Sequence, residues 1–258
     1  MSARRWRRRG AVLAIWLSVS GATPYDEATR LFDTGKYLEA ASLAAKADTA
    51  MGYALAARAT LAHAVYVAKR PQRDVQVDVG ADLARKALTR NSRHVEAHLQ
   101  LVIAYYQKSR ATTSLDAYFQ GYADKTSQHL GIARELEPDN PWAYWLLGGW
   151  NFEIVRLAGP ILADTLFDAN LAAGRAAFSR AIALMPETVV LHYSFARALL
   201  MDDPDANRKE AIEELGKALA AKRKNHLDGI IAARARAVMD AVKSGSPDSL
   251  RRALEPDG

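Results

Sequence analysis

A three-position pattern returns five times along the 258 residues, each time at helical spacing and often followed by a chain-turning residue. It reads Ala40-Ala44-Ala47, Ala84-Ala87-Asn91, Leu130-Ala133-Pro138, Phe178-Ala181-Pro186 and Ala211-Leu215-Ala218. A recurring helix-and-break unit points to a solenoid of stacked helix pairs, because one amphipathic hairpin cannot bury its apolar face without a neighbour. The expected fold is all-α: a superhelical solenoid of about five antiparallel helix hairpins with a C-terminal capping helix. Glycine (15) and proline (9) are sparse, and no alternating Val/Ile/Thr run reads as a strand.

The formal charge of +6 raises the question of nucleic acid, and its location answers it. Five of the 35 basic residues are Arg4, Arg5, Arg7, Arg8 and Arg9. Without them the chain is nearly balanced, and phosphate-backbone binding needs several clustered cations. The remaining cluster, Lys222-Arg223-Lys224, is expected to be a solvated helix end. Residues 1–22 read as a secretory signal peptide. A basic start precedes the short apolar run Ala11–Val19, and Ser20-Gly21-Ala22 provides small residues before a cut after Ala22. An uncleaved anchor and a twin-arginine address are the alternative readings, although Arg4-Arg5 lacks most of the surrounding pattern for the second. The chain contains no cysteine, which removes thiol catalysis, disulfides and thiolate metal sites. The expected location is periplasmic or secreted, in a bacterium, with residues 23–243 as the repeat domain and 244–258 as a C-terminal tail.

The repeats lay out from Tyr25. The first hairpin turns at Gly35-Lys36-Tyr37. The second breaks at Arg70-Pro71 and resumes near Val79. The third begins near His94, pauses over Ser109–Ser114 and runs again over Leu115–Leu136. Asn140 is placed to cap a helix that Pro141 opens. The fourth unit begins Trp142-Ala143-Tyr144-Trp145-Leu146-Leu147-Gly148, has a loop from Gly159-Pro160 to about Asp168, and ends Ala177 to Pro186. The fifth spans Val189–Leu200 and Asp205–Lys222, followed by a capping helix over Leu227–Lys243 and a short tail helix from Ser246-Pro247-Asp248.

Gly35, Tyr37, Ala40 and Ala47, and the stretch from Trp142 to Pro186, resemble the tetratricopeptide repeat. The units are longer than that family's, since Ala47, Ala87, Ala133, Ala181 and Ala218 lie 40, 46, 48 and 37 residues apart, against a usual period of about 34. Long-helix variants of this kind resemble two families: the T-component proteins of tripartite ATP-independent periplasmic transporters, and the regulator-of-microtubule-dynamics proteins.

No catalytic constellation emerges. The His94/His98 pair lacks a carboxylate on its own helix face, no glycine-rich phosphate loop exists, and Gly148-Gly149 lies inside a helix where close packing is expected. Catalytic residues, metal and cofactor are all expected to be absent. What remains is a surface. The resemblance places the first helix of each hairpin on the concave face, which would carry Glu96, Leu99, Gln100, Ile103 and Tyr106 from the third unit. The fourth would add Trp142, Trp145, Gly149, Phe152 and Glu153, and the fifth Tyr193, Ser194 and Arg197. Aromatic residues and arginine concentrate binding energy. The expected partner-binding set is therefore Tyr106, Trp142, Trp145, Phe152, Glu153, Tyr193 and Arg197, although Trp142 and Trp145 would equally serve as packing between repeats. The expected function is a non-enzymatic scaffold for a peptide or protein partner. The alternative is a small-ligand accessory protein of a periplasmic solute transporter, and self-association through the concave face is a third outcome.

Overall fold

The computed structural model describes residues 23–255. The expected signal segment and its expected cut after Ala22 lie outside the described residues. Five hairpins follow one another in chain order. The first pairs α1 (Pro24–Asp33) with α2 (Tyr37–Ala45), and the second pairs α3 (Ala50–Tyr66) with α4 (Gln72–Arg90). The third contains α5 (Val95–Arg110), the short α6 (Ser114–Phe119) and α7 (Tyr122–Leu136). The fourth contains α8 (Pro141–Ala158), the short α9 (Pro160–Phe167) and α10 (Leu171–Leu184). The fifth pairs α11 (Val189–Asp202) with α12 (Arg208–Ala220), and α13 (His226–Ser244) and α14 (Pro247–Leu254) complete the chain. Among the described residues there is no strand.

Local chemistry places several of these boundaries. Pro71 directly precedes α4, which starts at Gln72 rather than near Val79. The Asn140 side chain accepts from the backbone N–H groups of Trp142 (2.9 Å) and Ala143 (3.2 Å), with Pro141 opening α8. Such a cap stabilises a helix by about 1 kcal/mol. Two expected features differ. The helix predicted over Leu115–Leu136 is broken at Gln120-Gly121, where Gly121 takes a left-handed φ of 62°. The loop expected up to Asp168 contains α9, opened by Pro160 and ended by Asp168 at φ 50°. These two inserted helices account for the two longest repeat spacings. A third difference is that α12 ends at Ala220, so Lys222-Arg223-Lys224 is an exposed linker rather than a helix end.

The recurring triads are what the second helices bury. Ala40, Ala84, Ala87, Ala133, Ala181, Ala211 and Leu215 are fully inaccessible, and Leu130, Phe178 and Ala218 nearly so. The exceptions are Ala47, which lies past the end of α2, and the chain-turning Asn91, Pro138 and Pro186, all exposed. Small side chains let helix axes approach closely enough for ridges to enter grooves. At the α8–α10 crossing a Cβ on Gly148 would stand 2.7 Å from the Phe178 ring, so the close packing expected there holds. It does not hold for Gly149, whose Cβ would meet nothing within 4 Å.

Polar ties repeat as well. His98 Nε2 donates to the Ser92 carbonyl (2.9 Å) and His192 Nε2 to the Pro186 carbonyl (2.7 Å), each pinning the turn before its helix. Asp48–Arg90 and Asp139–Arg180, both at 2.6 Å, join the entry of a hairpin to its exit. The buried His192 and Glu214 pair at 2.6 Å across the fifth hairpin.

α13 does more than cap. Ile231, Val238 and Val242 bury against the last hairpins, while its first turns reach the first two. His226 meets the Tyr37 hydroxyl at 3.2 Å, and Arg234 donates to the Val65 carbonyl at 3.4 Å. The solenoid therefore winds until its ends touch. α14, expected as a separate tail, is part of this body: Leu254 is buried in the same cluster.

The two adjacent glycines give a paired test in urea denaturation. Gly148→Ala is expected to lose about 1–3 kcal/mol through its clash with Phe178. Gly149→Ala is expected to gain about 0.5–1 kcal/mol from helix propensity.

Candidate functional site

The first helices of the hairpins (α3, α5, α8 and α11) face inward, and the closing contact of α13 turns their concave side into one groove of about 1540 Å³. All thirteen residues placed on the inner face by the sequence line it, and the seven expected partner-binding residues among them share this one space.

They do not stand equally free within it. Phe152 and Tyr193 are buried and belong to the apolar core as much as to the groove wall. Trp142 and Trp145 are half-buried, meet edge to face at 5.9 Å, and pack against the core while lining the groove. The packing between repeats expected of them is thus present, and the same side chains also line the groove. Tyr106 is half-buried on α5. Glu153 is buried and accepts two hydrogen bonds from Arg156, at 2.9 and 2.8 Å, which keeps its charge compensated.

Arg197 is engaged by the chain itself: its Nε donates to the Leu254 carbonyl at 3.1 Å, at the C-terminus of α14. A cation there suits the negative end of the helix. Burial opposes its charge, but Tyr106, Tyr193 and Glu153 outweigh burial and hold the guanidinium above its ordinary value. Arg197 forms no ion pair among the described residues.

Four groove residues were not anticipated from the sequence. Tyr66 sits at the closure, where burial first and then Tyr193 push its hydroxyl up to about 12. Arg234 lies over the Tyr66 ring at 5.0 Å. Arg58 lies over Phe32 at 4.7 Å. Arg58 Nε and Trp150 Nε1 are buried donors with no hydrogen-bond partner among the described residues. Buried donors in proteins are nearly always satisfied, by protein or by water, so these two can be met by acceptors that enter the groove. No helical periodicity marks Arg58 or Arg234 as inward-facing, because each is set by contacts between different repeats, adjacent for Arg58 and distant for Arg234. The wall as a whole is aromatic and mixed in charge, suited to holding an amphipathic chain.

Comparison with known proteins fits this frame. The family model described as regulator of microtubule dynamics protein 1-3 matches residues 25–243. Among solved structures, the crystal structure of TTC0263, a thermophilic TPR protein from Thermus thermophilus, is similar at 18% identity with a TM-score of 0.59. That match covers 83% of this chain and 97% of the other, and at this identity it concerns the fold. Comparison with curated protein sequences gives no match. Among the described residues no helix is long and apolar enough to cross a membrane.

The histidine pair His94/His98 is not brought together as a metal site. His94 stands at the N-cap of α5, while His98 turns to His129 of α7, Nδ1 to Nδ1 at 2.7 Å. Among the described residues no group of three or more histidines and carboxylates is placed to hold a metal. Because His98 Nε2 faces a carbonyl and carries the proton, its Nδ1 is left to accept from His129. Burial, and then His98, depress His129 to about 4. Between pH 6.5 and 4 the unfolded chain thus binds a proton that the folded chain refuses, and stability falls as pH is lowered through that window. His129→Gln is expected to remove up to about 3 kcal/mol of this pH-dependent loss, read as urea midpoints at pH 7 and pH 4.

Proposed function

This chain belongs to the regulator of microtubule dynamics family, and from that premise we propose that it is a non-enzymatic binding scaffold holding an extended segment of a peptide or protein partner in its central groove. The observation that carries the reading is the groove itself: one space of about 1540 Å³ bounded by five repeats, with aromatic side chains and orphaned donors on its wall. Small-molecule sites fill roughly 300–1,000 Å³, so this space is better matched to a length of polypeptide, whose carbonyls supply the acceptors that Arg58 and Trp150 lack. In this role Trp145 and Tyr106 are the anchors, since both are half-buried and lose little on contact. Phe152 and Tyr193 shape the floor. Arg197, with Glu153 and its partner Arg156, sets the charge pattern that orients the segment.

The enclosure of the groove favours a second reading, an accessory protein that encloses a small ligand for a periplasmic solute transporter. The volume argues for the first. The periplasmic or secreted location rests on residues 1–22 and is proposed with it.

A phage-displayed random peptide library panned on the chain from Thr23 onward tests the reading. Selected peptides are expected to lose roughly tenfold or more in affinity to Trp145→Ala and again to Tyr106→Ala, the scale of an interface anchor. Peptides that bind the wild type and both variants equally would place recognition outside the groove.

A further inference from the structure

We propose that the seam where α13 meets the first two hairpins is the gate of the groove: the ring opens there, by flexing of the stacked hairpins, to admit an occupant bulkier than the resting groove takes. The inference goes beyond the binding reading and stands whichever occupant the groove takes.

Everywhere else around the ring, neighbouring elements are joined by the polypeptide and by buried apolar surface. Parting any of those joints would tear a shared core. The covalent chain does not cross the seam, which brings together residues about 190 positions apart, such as Tyr37 and His226. The other long-range tie, the Arg110–Glu255 ion pair at 3.7 Å, joins the third hairpin to the end of α14 and leaves the seam free to part. Partly buried Leu227 packs against both the N-terminal apolar cluster of Ala28, Phe32, Tyr37 and their neighbours and the C-terminal cluster on α8–α14, and Tyr66 of α3 packs against the C-terminal one. The other contacts are polar or aromatic: the Tyr37–His226 hydrogen bond, and Arg234 on the Val65 carbonyl and the Tyr66 ring. Water can replace such contacts at small net cost, about 0.5–1.5 kcal/mol for each hydrogen bond. A repeat array transmits flexing from neighbour to neighbour, so small changes at each hairpin sum to a wide opening at the seam.

The first hairpin also carries a seat for the closing helix. Gly35 turns the chain at φ 84°, and a Cβ there would stand 2.5 Å from His226 Nδ1. The absent side chain is what lets the imidazole rest on the turn beside Tyr37. Burial first, then Asp228 and Asp33, push the Tyr37 hydroxyl up to about 12, so it keeps the proton it shares with His226.

The absence of cysteine makes a thiol test direct. A Cβ on Gly35 would lie 2.7 Å from His226 Cγ, which puts the two Cβ atoms within about 4.2 Å, inside disulfide range. Gly35→Cys with His226→Cys therefore locks the seam on oxidation, and Ser194→Cys places a reporter thiol on the groove wall. A maleimide carrying a long polyethylene glycol chain is expected to label Ser194→Cys at least about tenfold more slowly in the oxidised triple variant than in the single variant. N-ethylmaleimide is expected to label both at similar rates. Since Gly35 has a positive φ, a second variant leaves the turn untouched: His226→Ala added to Ser194→Cys loosens the seam and is expected to speed the bulky reagent. The gate is overturned if the bulky reagent labels locked and unlocked chains equally. It is likewise overturned if that reagent labels neither while N-ethylmaleimide labels both, or if His226→Ala leaves the rate unchanged.

Discussion

Close approach of neighbouring helices is the constraint from which this architecture follows. Ala40, Ala84, Ala133, Ala181 and Ala211 occupy the crossing points of the second helices, each fully buried. A methyl group there lets two axes come near enough for the flanking leucines and aromatics to interdigitate, and a larger side chain would hold them apart. Where the crossing is tighter still, at Gly148 against Phe178, even a methyl group is excluded. Each crossing rotates one hairpin slightly against the last, and the sum of those rotations bends the stack into a ring.

Ring formation changes what the inner face is. In an open solenoid the concave side is a surface, whereas here α13 bridges back to α2 and α3 and turns it into a groove walled on that side as well. Desolvation inside it is evident at Tyr66, pushed up to about 12 chiefly by burial. Charges that face the interior are held by partners: Glu153 by Arg156, and Arg197 by a helix-end carbonyl. The aromatic side chains take two parts at once, completing the core behind them and facing the space in front. The groove wall is thus the exposed side of the packing that builds the fold.

The features legible in the sequence were those with local signatures. The triads, Pro71 and the Asn140-Pro141 start each act within one turn of helix, and so mark units and boundaries directly. Inward-facing positions such as Tyr106, Trp145 and Tyr193 followed from helical period once the repeat frame was known. α6 and α9 were hidden because helices of six and eight residues are too short to show a period, and α9 leaves Ile161, Leu162 and Leu166 exposed rather than on a buried stripe. The His98–His129 contact, the Arg58 and Arg234 wall and the closing role of α13 depend on residues from 26 to 189 positions apart. No pattern within a single helix encodes such meetings.

Ring closure is the claim on which the groove and its use both rest, and solution scattering from the chain starting at Thr23 tests it most directly. A closed ring of about 233 residues is expected to have a radius of gyration near that of a compact domain, about 17–19 Å. Its distance distribution is expected to be single-peaked, ending at the ring's own diameter. A longer maximum dimension with the extended shoulder of an open superhelix, persisting at low concentration, would contradict the account.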